Sequence, residues 1–299
     1  NCALLCGYIN QKTDKSNSVI FVIDMNKKAK TESGVEYSGA LIKEIFLQNT
    51  NGSVFDGHAG GITATAKNVW IANGKKLHRI PMSDIIGAPA SSEIKIADSI
   101  KVPVLSSYCN YSDGILWVGE FEYAKDKYNT DNMHHSGALT AWTVGYVINE
   151  DGEEGYDSVS GFKQSALGDV AIPDYVLWHG EKVQGMAEVG GKIVLSTSYG
   201  RKNNSNLYIY DNPVRGAHTR EADCTVTISG QEVPCYYLSE ESEKIVAPPM
   251  TEDLAVLKEG EQYKILVASE SGAYYYYGYS LLNSAKNPTD FVWELNVEQ

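Results

Sequence analysis

The sequence predicts an all-β chain folded as a five-bladed β-propeller, with a six-bladed ring as the alternative. Three observations carry this. Five times a short apolar run ends in a small residue: Ala3-Leu4-Leu5-Cys6, Val69-Trp70-Ile71-Ala72, Leu116-Trp117-Val118-Gly119, Ile193-Val194-Leu195-Ser196 and Ile265-Leu266-Val267-Ala268. Each is followed by a second strand-like run, at residues 19–24, 76–81, 138–144, 206–211 and 273–279. Sustained helical periodicity is absent, and runs bounded by Gly, Asn, Asp and Pro dominate. A unit that recurs in this way is one supersecondary module copied around an axis.

The remaining strands follow from these pairs. Four units show a strand before the pair, at residues 61–66, 104–109, 184–189 and 253–257, each followed by a tight turn. A fourth strand is expected after each pair, at residues 40–47, 93–100, 164–172, 225–238 (itself a hairpin) and 291–297. Four antiparallel strands in each of five units, on a chain of 299 residues, describe a propeller. The whole of 1–299 is then one domain, with blades at about 1–50, 54–101, 103–173, 182–239 and 250–299. Blade one lacks its innermost strand. The pattern therefore expects a strand upstream of Asn1, or else a three-stranded first blade whose bare edge is covered in some other way.

Composition narrows the partners. Twenty tyrosines against six phenylalanines favour half-wet strands, where a ring packs and its hydroxyl reaches water. A formal charge of −13 without a basic cluster argues against nucleic acid and anionic membrane. No apolar run reaches the ~18 residues of a membrane helix. The chain is expected to be a monomer.

Cysteine usage gives one geometric expectation. Of the five cysteines, Cys224 and Cys235 flank two short strands joined by Ser229-Gly230. Pairing outward from that turn sets the two directly opposite, where either a cross-strand disulfide or two half-buried thiols fits. A disulfide would accord with an oxidising compartment. Cys6 falls in the small-residue column and is expected to serve packing.

The blade pattern also says which loops share a face. Loops between blades, and loops between second and third strands, cluster at one mouth of the channel, where several blades can each contribute a group. The first set carries Asp56, His58, His179, Glu252 and Asp253. The second carries Tyr8, Glu120, His134, His135, Tyr199, Arg201 and Glu270. The inner strands add Tyr108 and Gln184 at the wall. Residues 120–136 form the longest of these loops, mixing aromatics with polar groups as binding loops do. Four of the six histidines map to this face; His78 and His218 do not.

At this point several motifs resemble those of uncharacterised secreted bacterial β-propeller proteins. They are His58-Ala59-Gly60-Gly61-Ile62, Leu116-Trp117-Val118-Gly119-Glu120-Phe121, Lys182-Val183-Gln184-Gly185-Met186-Ala187 and Leu195-Ser196-Thr197-Ser198-Tyr199-Gly200-Arg201. The resemblance covers about residues 1–211 and implies an extracellular or cell-surface protein. It carries over no catalytic residue. In that group a further inner strand precedes the segment equivalent to residues 2–8. More distantly, the channel is similar to that of calcium-dependent lactonase-type propellers, which implies Ca²⁺ held by acidic residues. Here Asp56, Glu120, Glu252 and Asp253 are the candidates, without a one-to-one match.

Three functions are compatible with these residues. The first is a ligand-binding propeller for a glycan or small molecule at the channel mouth. The second is a metal-assisted hydrolase or lyase in the same channel, lactonase- or glycosidase-like, with carboxylates and a loop histidine as acid and base. The third is a protein-interaction scaffold. No nucleophile elbow, phosphate loop, dinucleotide fingerprint or HExxH is present.

Overall fold

The structure is a computed structural model that describes residues 2–9, 17–32, 34–123, 139–259, 262–273, 285–286, 288–289 and 291–296. The first strands in chain order are β1 (Cys2–Ile9), β2 (Asn17–Lys30), β3 (Glu36–Gln48), β4 (Gly61–Ala64), β5 (Asn68–Pro81), β6 (Ser92–Lys95), β7 (Asp98–Ser112), β8 (Ile115–Glu120), β9 (Ala141–Val147) and β10 (Tyr175–His179). They are followed by β11 (Val183–Val189), β12 (Lys192–Thr197), β13 (Ser205–Asp211), β14 (Cys224–Ile228), β15 (Gln231–Tyr237), β16 (Glu243–Ala247), β17 (Thr251–Glu259), β18 (Gln262–Ser269) and β19 (Trp293–Asn296). One short helix, α1 (Met82–Gly87), is present among the described residues. The architecture is all-β.

Among the described residues the strands form four hydrogen-bonded sheets, and the eight-stranded one, β14-β15-β10-β9-β8-β7-β5-β4, divides at β7 into a second and a third unit. The first unit is β1-β2-β3, the fourth β11-β12-β13-β16 and the fifth β17-β18-β19. The second and third share β7, whose residues 98–101 pair with β5 and whose residues 106–112 pair with β8. The ladder shifts register at Ser106, where the hydroxyl lies 2.8 and 2.7 Å from the carbonyls of Gly74 and Lys76. β5 itself folds back at Gly74 (φ 63°), so that Met82 N–H donates to the Lys67 carbonyl at 2.8 Å. Glycine takes that backbone conformation without the Cβ clash other residues incur.

Strand alternation explains where the core lies. Along β8, Leu116 and Val118 join Trp70 and Leu77 of the second unit, while Ile115 and Trp117 join Ile193 and Leu195 of the fourth. Along β5, Val69 and Ile71 pack on Ile20 and Ile45 of the first unit, while Trp70 and Ala72 turn to the third. Along β12, Val194 faces Leu254, Ile265 and Val267 of the fifth. A period of two thus sends successive residues into the cores on either side of each sheet. The four clusters lie between consecutive units, and none lies between the fifth and the first among the described residues.

The small-residue column meets the inner strands. Gly61 pairs with Ala72, Gly185 with Ser196 and Tyr108 with Gly119. In the second and fourth units both residues of the pair are small. In the third unit the inner residue is large and the column residue has no side chain. Inner strands of neighbouring units touch backbone to backbone. A Cβ at Gly61 would lie 2.6 Å from Tyr108 Cα, and one at Gly185 2.7 Å from Asp253 Cα. Only glycine allows that approach.

β1 stands where second strands stand elsewhere. Its register, Leu4↔Val22 and Cys6↔Ile20, is unbroken, and Cys6 Sγ donates to the Ala59 carbonyl at 3.0 Å. Residues 3–7 are all only partly buried, whereas Val69, Trp70, Ile71 and Ala72 of β5 are fully buried. Among the described residues β1 pairs only with β2.

Several predicted outer strands are placed differently. The segment predicted at 93–100 divides: β6 runs parallel to β3 of the first unit, and residues 98–101 pair with β5. The strand expected at 164–172 is instead β10, after a 3-10 turn at Gln164–Ala166. Residues 164–172 hold Gly168 and Asp169, whereas Tyr-Val-Leu-Trp-His of β10 has the aromatic and branched residues that a pleated surface packs well. The hairpin β14–β15 turns at Ser229 (φ 50°) and Gly230 (φ 81°) and places Cys224 opposite Cys235, as predicted. It joins the third unit, with β15 parallel to β10, because Tyr236 and Leu238 fill the core beside Trp117 and Leu177. The fourth unit closes with β16 instead. In the fifth, β19 pairs directly with β18. The third strand predicted at 273–279 lies outside the described residues but for Ala273.

Two buried carboxylates lock neighbouring units together. Glu188 receives Trp117 Nε1–H and Asn212 Nδ2–H, each at 2.7 Å, and pairs with Arg215 Nε at 2.7 Å. Glu150 accepts from the Thr65 hydroxyl at 2.6 Å, the Lys67 N–H at 2.7 Å and Asn68 Nδ2 at 2.7 Å. Burial without such partners would cost several kcal/mol, on the order of the penalty for an unpaired ion.

Candidate functional site

The predicted site residues fall into two groups and do not form one cluster. Tyr108, Glu120 and His179 are sealed inside the third unit. The Tyr108 ring lies over Gly119, and its hydroxyl is 2.8 Å from Thr143 Oγ1 and 3.3 Å from His179 Nε2. Thr143 Oγ1 is also 2.8 Å from His179 Nε2. His179 Nδ1 lies 2.8 Å from the Gly180 carbonyl, which can only accept, so Nδ1 carries the proton and Nε2 receives a hydroxyl hydrogen. Burial lowers the His179 pKa, which keeps the ring neutral, and raises that of Tyr108. Glu120 Oε1 accepts the Trp142 N–H at 2.8 Å. Tyr108, Thr143 and His179 each have 0 % exposure. These residues therefore brace β7, β8, β9 and β10 from within and present nothing to a ligand.

The second group is open. Tyr8 at the end of β1 stacks on His58, with ring centroids 4.8 Å apart and planes tilted by 38°. The loop that carries His58 is held by its N–H, which donates to Asn73 Oδ1 at 2.8 Å, and turns through Ala59 at φ 47°. Gln184 Nε2 donates to Glu252 Oε1 at 3.2 Å, joining β11 to β17. Burial, together with the charges of Glu270 and Asp253, holds the Glu252 carboxyl well above its usual range. Burial likewise pushes Asp253 up to about 8, against the pull of the Leu254 and Ile62 amides. Tyr8 is raised by burial and by the charges of Glu270 and Glu252, so these groups share one neighbourhood. Asp56 is exposed on the adjoining loop. The arrangement offers two carboxyls raised above their usual range, an amide, a phenol and an aromatic face near the first residues of β11 and β17.

A third cluster borders the second. Tyr199, 40 % exposed, packs on Tyr123 with ring centroids 4.3 Å apart. Lys182 Nζ sits 4.4 Å above the Tyr123 ring and 2.7 Å from Glu181 Oε1. The Arg201 carbonyl accepts the Lys286 N–H at 2.8 Å. His134 and His135 lie outside the described residues.

The calcium set implied by the distant lactonase likeness does not assemble. Asp56 is exposed in its loop, and Glu120 is committed to the Trp142 amide within the third unit. Among the described residues no three His, Cys, Asp or Glu side chains come together as metal ligands. The donor set does not fit the ion. Cys224 and Cys235 face each other as free thiols, with Tyr237 Oη donating to Cys224 Sγ at 3.3 Å.

Sequence reasoning did not single out Thr143, Asn73 or Tyr123. Thr143 is a mid-strand threonine whose role appears only when β9 lies beside β10. Asn73 had a signal, as Asn before Gly in a tight turn, but that signal names a turn and not a loop-holding contact.

No protein-family model and no curated protein matches the chain. Solved structures similar to it include hydrazine synthase of Kuenenia stuttgartiensis, at 10 % identity and TM-score 0.32, covering 85 % of this chain and 52 % of that one. Hsv2 of Kluyveromyces lactis gives 10 % identity and TM-score 0.32, covering 90 % and 59 %. The computationally designed protein Ika8 gives 8 % identity and TM-score 0.29, covering 90 % and 70 %. The chain thus spans little more than half the length of the first two, and at these TM-scores the likenesses carry no argument.

Proposed function

We propose that the protein is a ligand-binding five-bladed β-propeller that takes a glycan or other small neutral polar molecule at the mouth formed by β1, β11 and β17. One observation carries this most directly: Glu252, which accepts from Gln184 at 3.2 Å, and Asp253 are carboxyls raised above their usual range by burial, in the neighbourhood of the Tyr8–His58 stack. Neutral carboxyl, amide and phenol groups donate as well as accept, and a ring face receives C–H edges of a sugar. The five-blade reading is supported by four inner strands, β4, β7, β11 and β17, and by cores sandwiched between consecutive units. The same reading makes the protein a monomer outside the cell or at its surface. The motif resemblance supports that location.

A glycan array and a thermal-shift panel of small metabolites test the reading together, since a ligand that binds only the folded chain raises its melting temperature. A hit weakened by Glu252→Gln and by His58→Ala supports it; blanks in both screens sink it.

A second reading, hydrolysis at the same mouth, rests on Asp253. A carboxyl that keeps its proton to about 8 is poised to act as a general acid near neutral pH. Lactone, ester and aryl-glycoside screens on the purified protein decide it: no turnover defeats the reading.

A further inference from the structure

A cavity separate from the mouth opens between the third and fourth units. Its volume is about 350 Å³, near the lower end of ordinary small-ligand pockets. The loop carrying Glu181 and Lys182 forms one wall, and β12 and β13 form the other, with Leu195 beneath. Strand geometry aligns the second wall: Leu195 pairs with Tyr208 and Thr197 with Asn206, and Tyr210 follows on the same face of β13.

Three polar side chains on this wall, Asn206, Tyr208 and Tyr210, have no hydrogen-bond partner among the described residues. Thr197 donates its hydroxyl to the Asn206 carbonyl at 3.3 Å. Burial and the nearby Glu241 push Tyr210 up to about 12, so its hydroxyl stays a donor. The two charged residues that line the cavity pair with each other, Lys182 Nζ lying 2.7 Å from Glu181 Oε1, and Lys244 Nζ stands 5.2 Å from the Tyr208 ring centroid. At the rim Lys182 also caps the Tyr123–Tyr199 pair.

We propose that this cavity is a second binding site, for one neutral sugar residue. A carboxamide and two phenols can each donate and accept, which matches a polyol. A wall whose two charged lining residues pair with each other gives little purchase to an ion. Leu195 and the tyrosine rings offer an apolar surface for the C–H face of a pyranose. The volume admits about one or two rings.

The test is saturation-transfer NMR followed by calorimetric titration with methyl glycosides of glucose, galactose, mannose, fucose and N-acetylglucosamine. At least one is expected to bind. Tyr208→Phe and Asn206→Ser are each expected to weaken it about 10-fold, one lost hydrogen bond's worth, with an unchanged unfolding midpoint. Glu252→Gln, at the mouth, is expected to leave this affinity as it is. The proposal is overturned if no glycoside shows transfer. It is also overturned if Glu252→Gln abolishes binding while Tyr208→Phe and Asn206→Ser do not. Asn206→Ser, at a half-exposed position, keeps the test decisive should Tyr208→Phe disturb the fold.

Discussion

Gln184 on β11 donates to Glu252 on β17 at 3.2 Å, a contact between the inner strands of two units. The bond sits one residue from a closer meeting, where Gly185 lets the Asp253 backbone approach to within the reach of a single Cβ. The carboxyls of Glu252 and Asp253 are therefore drawn into a packed hub, and burial is the first cause of their raised pKa values.

Asp253 gives a pH dependence with a definite sign. Its ordinary value of 3.8 is raised to about 8 in the folded chain. Between those values the folded state holds a proton that the unfolded state has released. Stability from this group is thus fully present below 3.8 and is lost as pH rises through 8. Asp253→Asn keeps the acceptor for the Leu254 N–H and cannot ionise. Melting curves should show the variant gaining on the parent from about pH 5 to pH 8.5; parallel profiles would refute the assignment.

Gly119 is required by its neighbour. A Cβ there would fall 1.9 Å from the Tyr108 ring, inside a sealed core. Gly119→Ala is expected to destabilise by about 1–3 kcal/mol or more. Adding Tyr108→Val should recover part of that loss, because the two residues share one space. Denaturant midpoints of the two single variants and the double variant measure the coupling, and strict additivity would show that the clash is relieved elsewhere.

Cys224 and Cys235 are expected to form an intramolecular disulfide when the folded protein meets a disulfide oxidant such as oxidised glutathione. Their strands are already in register, so no sliding of the hairpin is needed. Mass spectrometry should find a peptide pair linked between them with the loss of two hydrogens. Exclusive mixed disulfides with glutathione at Cys224 would count against it.

Hydrogen exchange should distinguish the first unit from its neighbours. Amides of Ala3, Leu4, Leu5 and Cys6 are expected to exchange faster than those of Val69, Trp70, Ile71 and Ala72, which hold the same place in the second unit but are fully buried. Equal protection would mean that the inner side of β1 is covered as well as that of β5.

Much of the scaffold was legible because it depends on local chemistry. The small residues Ala72, Gly119 and Ser196 mark where an inner strand pairs with its neighbour, and strand alternation sends apolar runs into two cores. The Ser229-Gly230 turn sets the register of its hairpin by itself, since both residues adopt positive φ. What the turn cannot encode is which sheet the hairpin joins. That depends on Tyr236 and Leu238 finding the cavity beside Trp117 and Leu177, contacts between residues far apart in the chain.

The site divides in the same way. The sequence by itself determined that Tyr108, His179, Gln184, Glu252 and Asp253 belong to inner strands and the loops that feed them, and Glu120 to the end of a second strand, because position along a strand follows from period and turn. Only the tertiary structure decided which of them a ligand can meet. Tyr108 lies within β7 and His179 ends β10, yet they share buried bonds with Thr143, because Gly119 leaves room for the Tyr108 ring. Tyr8 and His58 stack in the open, because β1 brings its last residues beside the loop that enters β4. Exposure is set by packing between units, and neighbours in space are not neighbours in sequence.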